Sequence, residues 1–146
     1  AYQAPGHAPH QVIFHDPAID GVFTADAAGL FTPSTDEVNV TTPPVNFDLD
    51  RALDDIATIR ELAPETLLYA HFGTEPIGDR LDEYARKLDN WVTAVREKRA
   101  ELGDDDAVIQ HFVDTVETPA VWGEHKASEE IALNVRGVLV MLDRDE

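Results

Sequence analysis

Leu67-Leu68-Tyr69-Ala70-His71-Phe72-Gly73 is the stretch on which the fold turns. Four apolar residues stand in a row behind Pro64, and a polar residue and a glycine follow them. That pattern predicts a short buried strand ending in a turn. Helical periodicity lies on both sides of it. Upstream, Leu49, Leu53, Ile56 and Ile59 recur at helical spacing after Asp48, with acids in the first turn, and Pro64 ends the run. Downstream, Ile77, Leu81, Tyr84, Leu88, Trp91, Val95 and Leu102 keep a three-to-four residue period up to Gly103, a good C-terminal stop. A strand between two helices predicts a mixed α/β architecture.

Further out, Val12-Ile13-Phe14 and Val22-Phe23-Thr24-Ala25 flank a turn around Asp20-Gly21 and make a plausible antiparallel pair. Thr32 to Pro44 is rich in Thr and Pro and has no period, so it reads as a surface loop, with Val38-Asn39-Val40 a candidate short strand. Asp104 to Asp106 caps a shorter helix through Ile109, Phe112, Val113 and Val116, which Thr118-Pro119 breaks. A last helix is expected from about Ser128 to Leu142, with Ile131, Val135, Val138 and Leu142 on one stripe. The chain then forms one domain, with a strand-rich part over residues 1–76 and a helical tail over 77–146.

The charge balance narrows the function. Twenty-nine acidic residues face eleven basic ones, for a net charge of −18. A nucleic-acid partner held by a basic surface is not expected. The acids are spread along the chain and lysine is rare, with only Lys87, Lys98 and Lys126. This resembles proteins of salt-loving organisms, in which salt screens the repulsion of an acidic surface. There is no cysteine, so any metal must be held by His, Asp or Glu. No apolar run of membrane-span length and no signal peptide is evident, and a cytoplasmic protein is expected.

Three short motifs carry side chains suited to chemistry. In Ala4-Pro5-Gly6-His7-Ala8-Pro9-His10, Pro and Gly fix a tight turn that presents His7. In Phe23-Thr24-Ala25-Asp26-Ala27-Ala28-Gly29, an Asp just past a strand is followed by small residues that leave room near its carboxylate. In Tyr69-Ala70-His71-Phe72-Gly73, His71 again sits at a strand end. Strand ends converge on one edge of a sheet, so His7, Asp26 and His71 are expected to meet. Two imidazoles and a carboxylate suit zinc, iron or manganese. Singly, each has a blander reading as a hydrogen-bonded His or a turn-forming Asp. His10 is a candidate partner behind a ligand; His15, His111 and His125 carry no such expectation, and His125 reads as part of a solvated loop.

Taken in order, Pro5-Gly6-His7, Ala25-Asp26-Ala27-Ala28-Gly29 and His71-Phe72-Gly73 resemble the late motifs of the metallo-β-lactamase superfamily. The tail through Asn134-Val135-Arg136-Gly137-Val138-Leu139 is similar to the closing helix of its glyoxalase-II-like members. The resemblance covers nearly the whole chain and implies the C-terminal half of an αββα sandwich. It also implies metal ligands: His7 on the first ion, Asp26 bridging both, and His71 on the second. Two divalent ions are implied, zinc first with iron or manganese as alternatives, which acidify a water and polarise the scissile bond of a small ester, thioester or lactone. Two departures stand out. Ala25 replaces the usual Gly, which is read as cheap because Ala is also small. The family's His-x-His-x-Asp-His motif is absent, and the chain begins at Ala1 without Met. A chain cut between two halves is therefore expected, inactive and binding metal weakly or not at all by itself, with an upstream half or a second copy as its partner. Two alternatives remain: a mononuclear two-His-one-carboxylate site, and a non-catalytic binding or dimerisation domain.

Overall fold

The computed structural model describes residues 1–145. It is a mixed α/β structure in which strands are followed by a helical tail. The strands are β1 (Tyr2–Gln3), β2 (Val12–Asp16), β3 (Gly21–Ala25), β4 (Leu30–Thr32), β5 (Glu37–Asn39), β6 (Thr66–Tyr69) and β7 (Thr74–Pro76). The α-helices are α1 (Leu49–Leu62), α2 (Arg80–Leu102), α3 (Asp105–Thr115) and α4 (Glu124–Asp145). A single 3-10 turn, Ala120–Trp122, precedes α4. Among the described residues no helix is long and apolar enough to cross a membrane.

The main sheet has the order β1-β2-β3-β6-β7. Only β3 and β6 run parallel, and α1 lies between them in the chain, as a crossover connection requires. All other neighbours are antiparallel. One face is closed by the helices: Ile13, Val22, Thr24, Leu67 and Tyr69 are all buried there. The opposite face is bare. Phe14 pairs with Phe23 and Phe23 with Leu68, which puts their side chains on one side of the sheet. Phe14, Phe23 and the nearby Val12 and Ile19 are exposed by 52, 45, 38 and 54%. A soluble sheet normally alternates apolar-in and polar-out, and here the outward set is apolar as well.

The helices follow local rules. Asp48 caps α1 by accepting from the Arg51 N–H, and Asp104 caps α3 by accepting from the Ala107 N–H. Ala63 closes α1 in the left-handed conformation ahead of Pro64, and Gly103 closes α2 in the same way. The stripe expected on α4 is buried as read, at Ile131, Val135, Val138 and Leu142. On α2 the buried face includes Val92, whereas Leu102 is exposed.

Several expectations need correction. The Thr/Pro-rich segment is a surface loop only over Pro33 to Glu37, which are exposed, and the short strand expected around Val38-Asn39-Val40 is present as β5. The segment contains the β4–β5 hairpin, with Phe31 and Val38 in the core, and then runs buried through Thr41 and Thr42. The Thr42 N–H donates to Asn134 Oδ1 at 2.6 Å, and its hydroxyl donates to the Asn134 carbonyl at 2.8 Å. Gly137 admits this strand-like backbone, since a Cβ there would lie 1.7 Å from the Thr42 oxygen. Helix α2 starts at Arg80, not Ile77, and α4 starts at Glu124, not Ser128. His125 therefore stands on a helix, though exposed, and not in a loop. Ala70 falls outside β6, and the edge strands β1 and β7 have no clear pattern of their own.

Candidate metal centre

The parallel pair sets the site. Asp26 follows the C-terminal end of β3 and His71 follows that of β6, so both project from the same edge of the sheet. Ligand sites of α/β sheets form at such strand ends. His7 arrives from the turn between β1 and β2. Its Nε2 lies 3.3 Å from Asp26 Oδ2, and His71 Nε2 lies 3.5 Å from Asp26 Oδ1. The two imidazoles thus address different oxygens of one carboxylate. The three side chains line a pocket of about 250 Å³.

Each arm has its own support. Gly6 packs directly on α1, where a Cβ would lie 2.3 Å from the Ala52 backbone. Its N–H donates to Asp55 Oδ2 at 2.7 Å, and its carbonyl accepts from the Asp48 N–H at 3.0 Å. Asp55 is 3% exposed, and burial pushes its carboxyl up to about 6 against the opposing pull of the Gly6 N–H. Gln11 ties two of the arms together: its amide donates to the Ala4 carbonyl at 3.1 Å, and its Oε1 accepts from the Asp26 N–H at 3.3 Å. Beneath Asp26 the β3–β6 register slips, with Phe23 opposite Leu68 but Ala25 opposite Tyr69. Thr24 is the extra residue of a bulge, a device that re-aims the side chain beyond it. Ala25 then takes the left-handed conformation with φ of 46°. The expectation that alanine is cheap here because it is small is therefore corrected, since the conformation and not the volume is what favours glycine.

Burial holds His7 below the ordinary imidazole range; the Asp26 carboxylate and the Thr41 backbone oppose this, and His71 adds to it. A neutral imidazole is the form that binds a metal ion. His7 Nδ1 and Asp26 Oδ1 are buried, and Asp26 Oδ1 faces His71 Nε2 across the site at 3.5 Å. The donors thus match a divalent ion in type. Their number falls short: among the described residues no group of three or more His, Asp or Glu is arranged around one position. His71 is the open arm, with 55% of its side chain exposed beside an exposed Phe72.

The structure brings His7, Asp26 and His71 together. It leaves His10 exposed and outside the pocket, and the tying role expected of a neighbour falls to Gln11. Sequence reasoning misses Asp55 and Gln11. Asp55 carries a signal, since it lies on the α1 face of Ala52, Ile56 and Ile59, where an acid is out of place. Gln11 carries none. No family model matches the chain, and no curated protein matches it either.

Proposed function

We propose that this chain is the C-terminal half of a metal-dependent hydrolase of the metallo-β-lactamase type, acting on a small ester, thioester or lactone. The observation that carries this reading is the convergence of His7 Nε2 and His71 Nε2 on the two oxygens of Asp26. His7 and Asp26 would hold one divalent ion, Asp26 and His71 a second, with zinc the best match to imidazole and carboxylate donors. Ions held there supply the Lewis acidity that activates water near neutral pH and polarises the bond to be cleaved. The chain's own residues contribute position. Gly6 and Asp55 fix the His7 turn on α1, Gln11 fixes the Asp26 backbone, and Leu30, Phe72 and Leu133 give the pocket an apolar wall.

The bare sheet face supports the second part of the reading, that another layer completes the protein. Phe14, Phe23, Val12 and Ile19 form the kind of exposed apolar surface that marks an interface on a soluble protein. A second sheet packed there would make a sandwich, and the absent His-x-His-x-Asp-His residues would supply most of the shell of the ion that His7 completes.

Zinc titration followed by the imidazole NMR signals tests the site. His7 and His71 are expected to respond together, weakly, because each ion receives one imidazole and a shared carboxylate while protein zinc sites use three or four ligands. Asp26→Ala should uncouple the two. Responses at His10 or His15 in place of His7 and His71 would overturn the assignment.

A further inference from the structure

The chain has two tryptophans, and they are held very differently. The Trp91 indole N–H donates to the Thr42 hydroxyl at 3.1 Å, and its ring meets Phe112 edge-on at 5.1 Å. Trp122 has no such anchor, and its buried indole N–H makes no hydrogen bond. It sits at the end of the 3-10 turn Ala120–Trp122, between Pro119 and Gly123, and no residue of that turn is buried. The turn is closed by its own backbone, from the Trp122 N–H to the Pro119 carbonyl at 3.0 Å and from the Gly123 N–H to the Ala120 carbonyl at 3.2 Å, and the Gly123 carbonyl accepts from the Ala127 N–H of α4 at 3.0 Å.

Trp122 lines two cavities. One is the site pocket, whose apolar wall is Leu30, Phe72 and Leu133. The other is a smaller cavity of about 90 Å³, walled by Val40, Val116, Pro119 and Ile131. The second has no titratable group of the proposed metal centre on its wall. Trp91, Asn39, Glu117, Thr118 and Asn134 complete the wall of this recess, and most of the surface it presents is apolar.

We propose that Trp122 is the specificity-determining partition of the site, and that it sets the length of the apolar chain a substrate can carry. This rests on the hydrolase reading above. With the indole in place, an acyl or alkyl chain lies along Leu30, Phe72 and Leu133 and stops at the ring. With the ring removed or displaced, the chain runs on into the recess against Val116 and Ile131. The substrate class is accordingly one with a short unbranched apolar arm. Trp91 cannot play this part, because its hydrogen bond ties it to the Thr42–Asn134 clamp that holds α4.

The test uses straight-chain alcohols from butanol to decanol, titrated in the presence of a chelator and followed by side-chain methyl NMR. In the native chain the Leu133 methyls should shift while those of Ile131 stay still. Affinity should rise about fourfold per methylene, the equivalent of about 0.8 kcal/mol, and then level off. In Trp122→Ala the levelling-off should move about two or more carbons longer, and Ile131 should begin to respond. Trp122→Phe should fall near the native profile. Trp122→Leu, with the fluorescence of Trp91 as a check of folding, serves if the alanine variant does not fold. An unchanged chain-length profile in the folded variants overturns the proposal, as does failure of every alcohol to shift Leu133. Because the chelator keeps metal out, these outcomes are independent of the zinc titration that decides the hydrolase reading.

Discussion

The two histidine arms of the site are built to opposite specifications. His7 stands on a turn pressed into the backbone of α1, and 17% of its side chain is exposed. His71 stands on an open turn at 55% exposure, beside Phe72 at φ of 70° and Gly73, where an added Cβ would meet nothing within 4 Å. One arm is fixed by this chain alone, while the other projects beyond the sheet with room around it. The difference is one of support: this chain packs the His7 turn against α1 and leaves the His71 turn open. Under the proposed reading each ion has one imidazole and a shared carboxylate, so both arms need further ligands, and the contrast between them lies in how firmly this chain holds each.

The largest effect should come from adding a methyl group to each arm. Gly6→Ala drives a Cβ to 2.3 Å from the Ala52 Cα and N, both backbone atoms that cannot turn aside. A loss of about 3 kcal/mol or more is expected. Gly73→Ala meets empty space, and its cost is the conformational strain of φ at 119°, about 1–2 kcal/mol. Urea melts of both variants check the contrast. Equal losses would show that the His7 turn is no more rigid than its counterpart.

Asp55 sharpens the same contrast through pH. Its folded-state value, about 6, lies above the ordinary 3.8, so the folded protein holds a proton there that the unfolded chain releases. The stability this gives is full below about pH 4 and is lost as pH rises through about 6. The shift corresponds to about 2–3 kcal/mol. Asp55→Asn keeps an acceptor for the Gly6 N–H without the charge. It should be more stable than the native chain at pH 7 by about 2 kcal/mol, with the difference vanishing near pH 4. Asp55→Ala leaves the Gly6 N–H buried and unpaired and should cost about 1–3 kcal/mol. Thermal melts of the three proteins across that pH range decide it. A native-minus-asparagine difference that ignores pH would remove the buried carboxylate from the account.

How much of this is legible in the sequence follows from the range of the interactions. The Leu67–Tyr69 strand, the α1, α2 and α4 stripes and the convergence of His7, Asp26 and His71 depend on local period and on where strands end, and both are written in adjacent residues. The course of Thr32 to Pro44 is hidden because the partner of Thr42 is ninety-two residues away. Thr42 is polar and would be solvent-facing but for Asn134, which satisfies it inside the core. Helix α4 begins earlier than its apolar stripe, since Glu124, His125 and Lys126 are exposed and the first turn buries only the small Ala127. The bare face is legible in part: Val12-Ile13-Phe14 is apolar on both sides of the strand, a pattern that fits a sheet covered twice.

The smallest predicted effect concerns the residue just before Asp26. Ala25 at φ of 46° and Ala63 at φ of 47° share one backbone conformation, the first at the site and the second at the C-terminus of α1. Glycine relieves the Cβ strain in this region, by about 1 kcal/mol after the added freedom of the unfolded chain is subtracted. Ala63→Gly should therefore stabilise by about that amount, as a helix-ending glycine does elsewhere. Ala25→Gly should match it if its methyl group does nothing but strain the bulge. Ala25 is half-buried, however, and follows Thr24, whose hydroxyl donates to the Ala25 carbonyl at 3.1 Å and so already holds the bulge in shape. With that bond retained, Asp26 keeps its aim, and the joint zinc response of His7 and His71 should be unchanged in Ala25→Gly. Paired melts of the two glycine variants, with the imidazole spectra of the first, make the comparison. Stabilisation at Ala63 with loss at Ala25 would mean that the methyl group packs at the site and that the bulge needs it to orient the carboxylate.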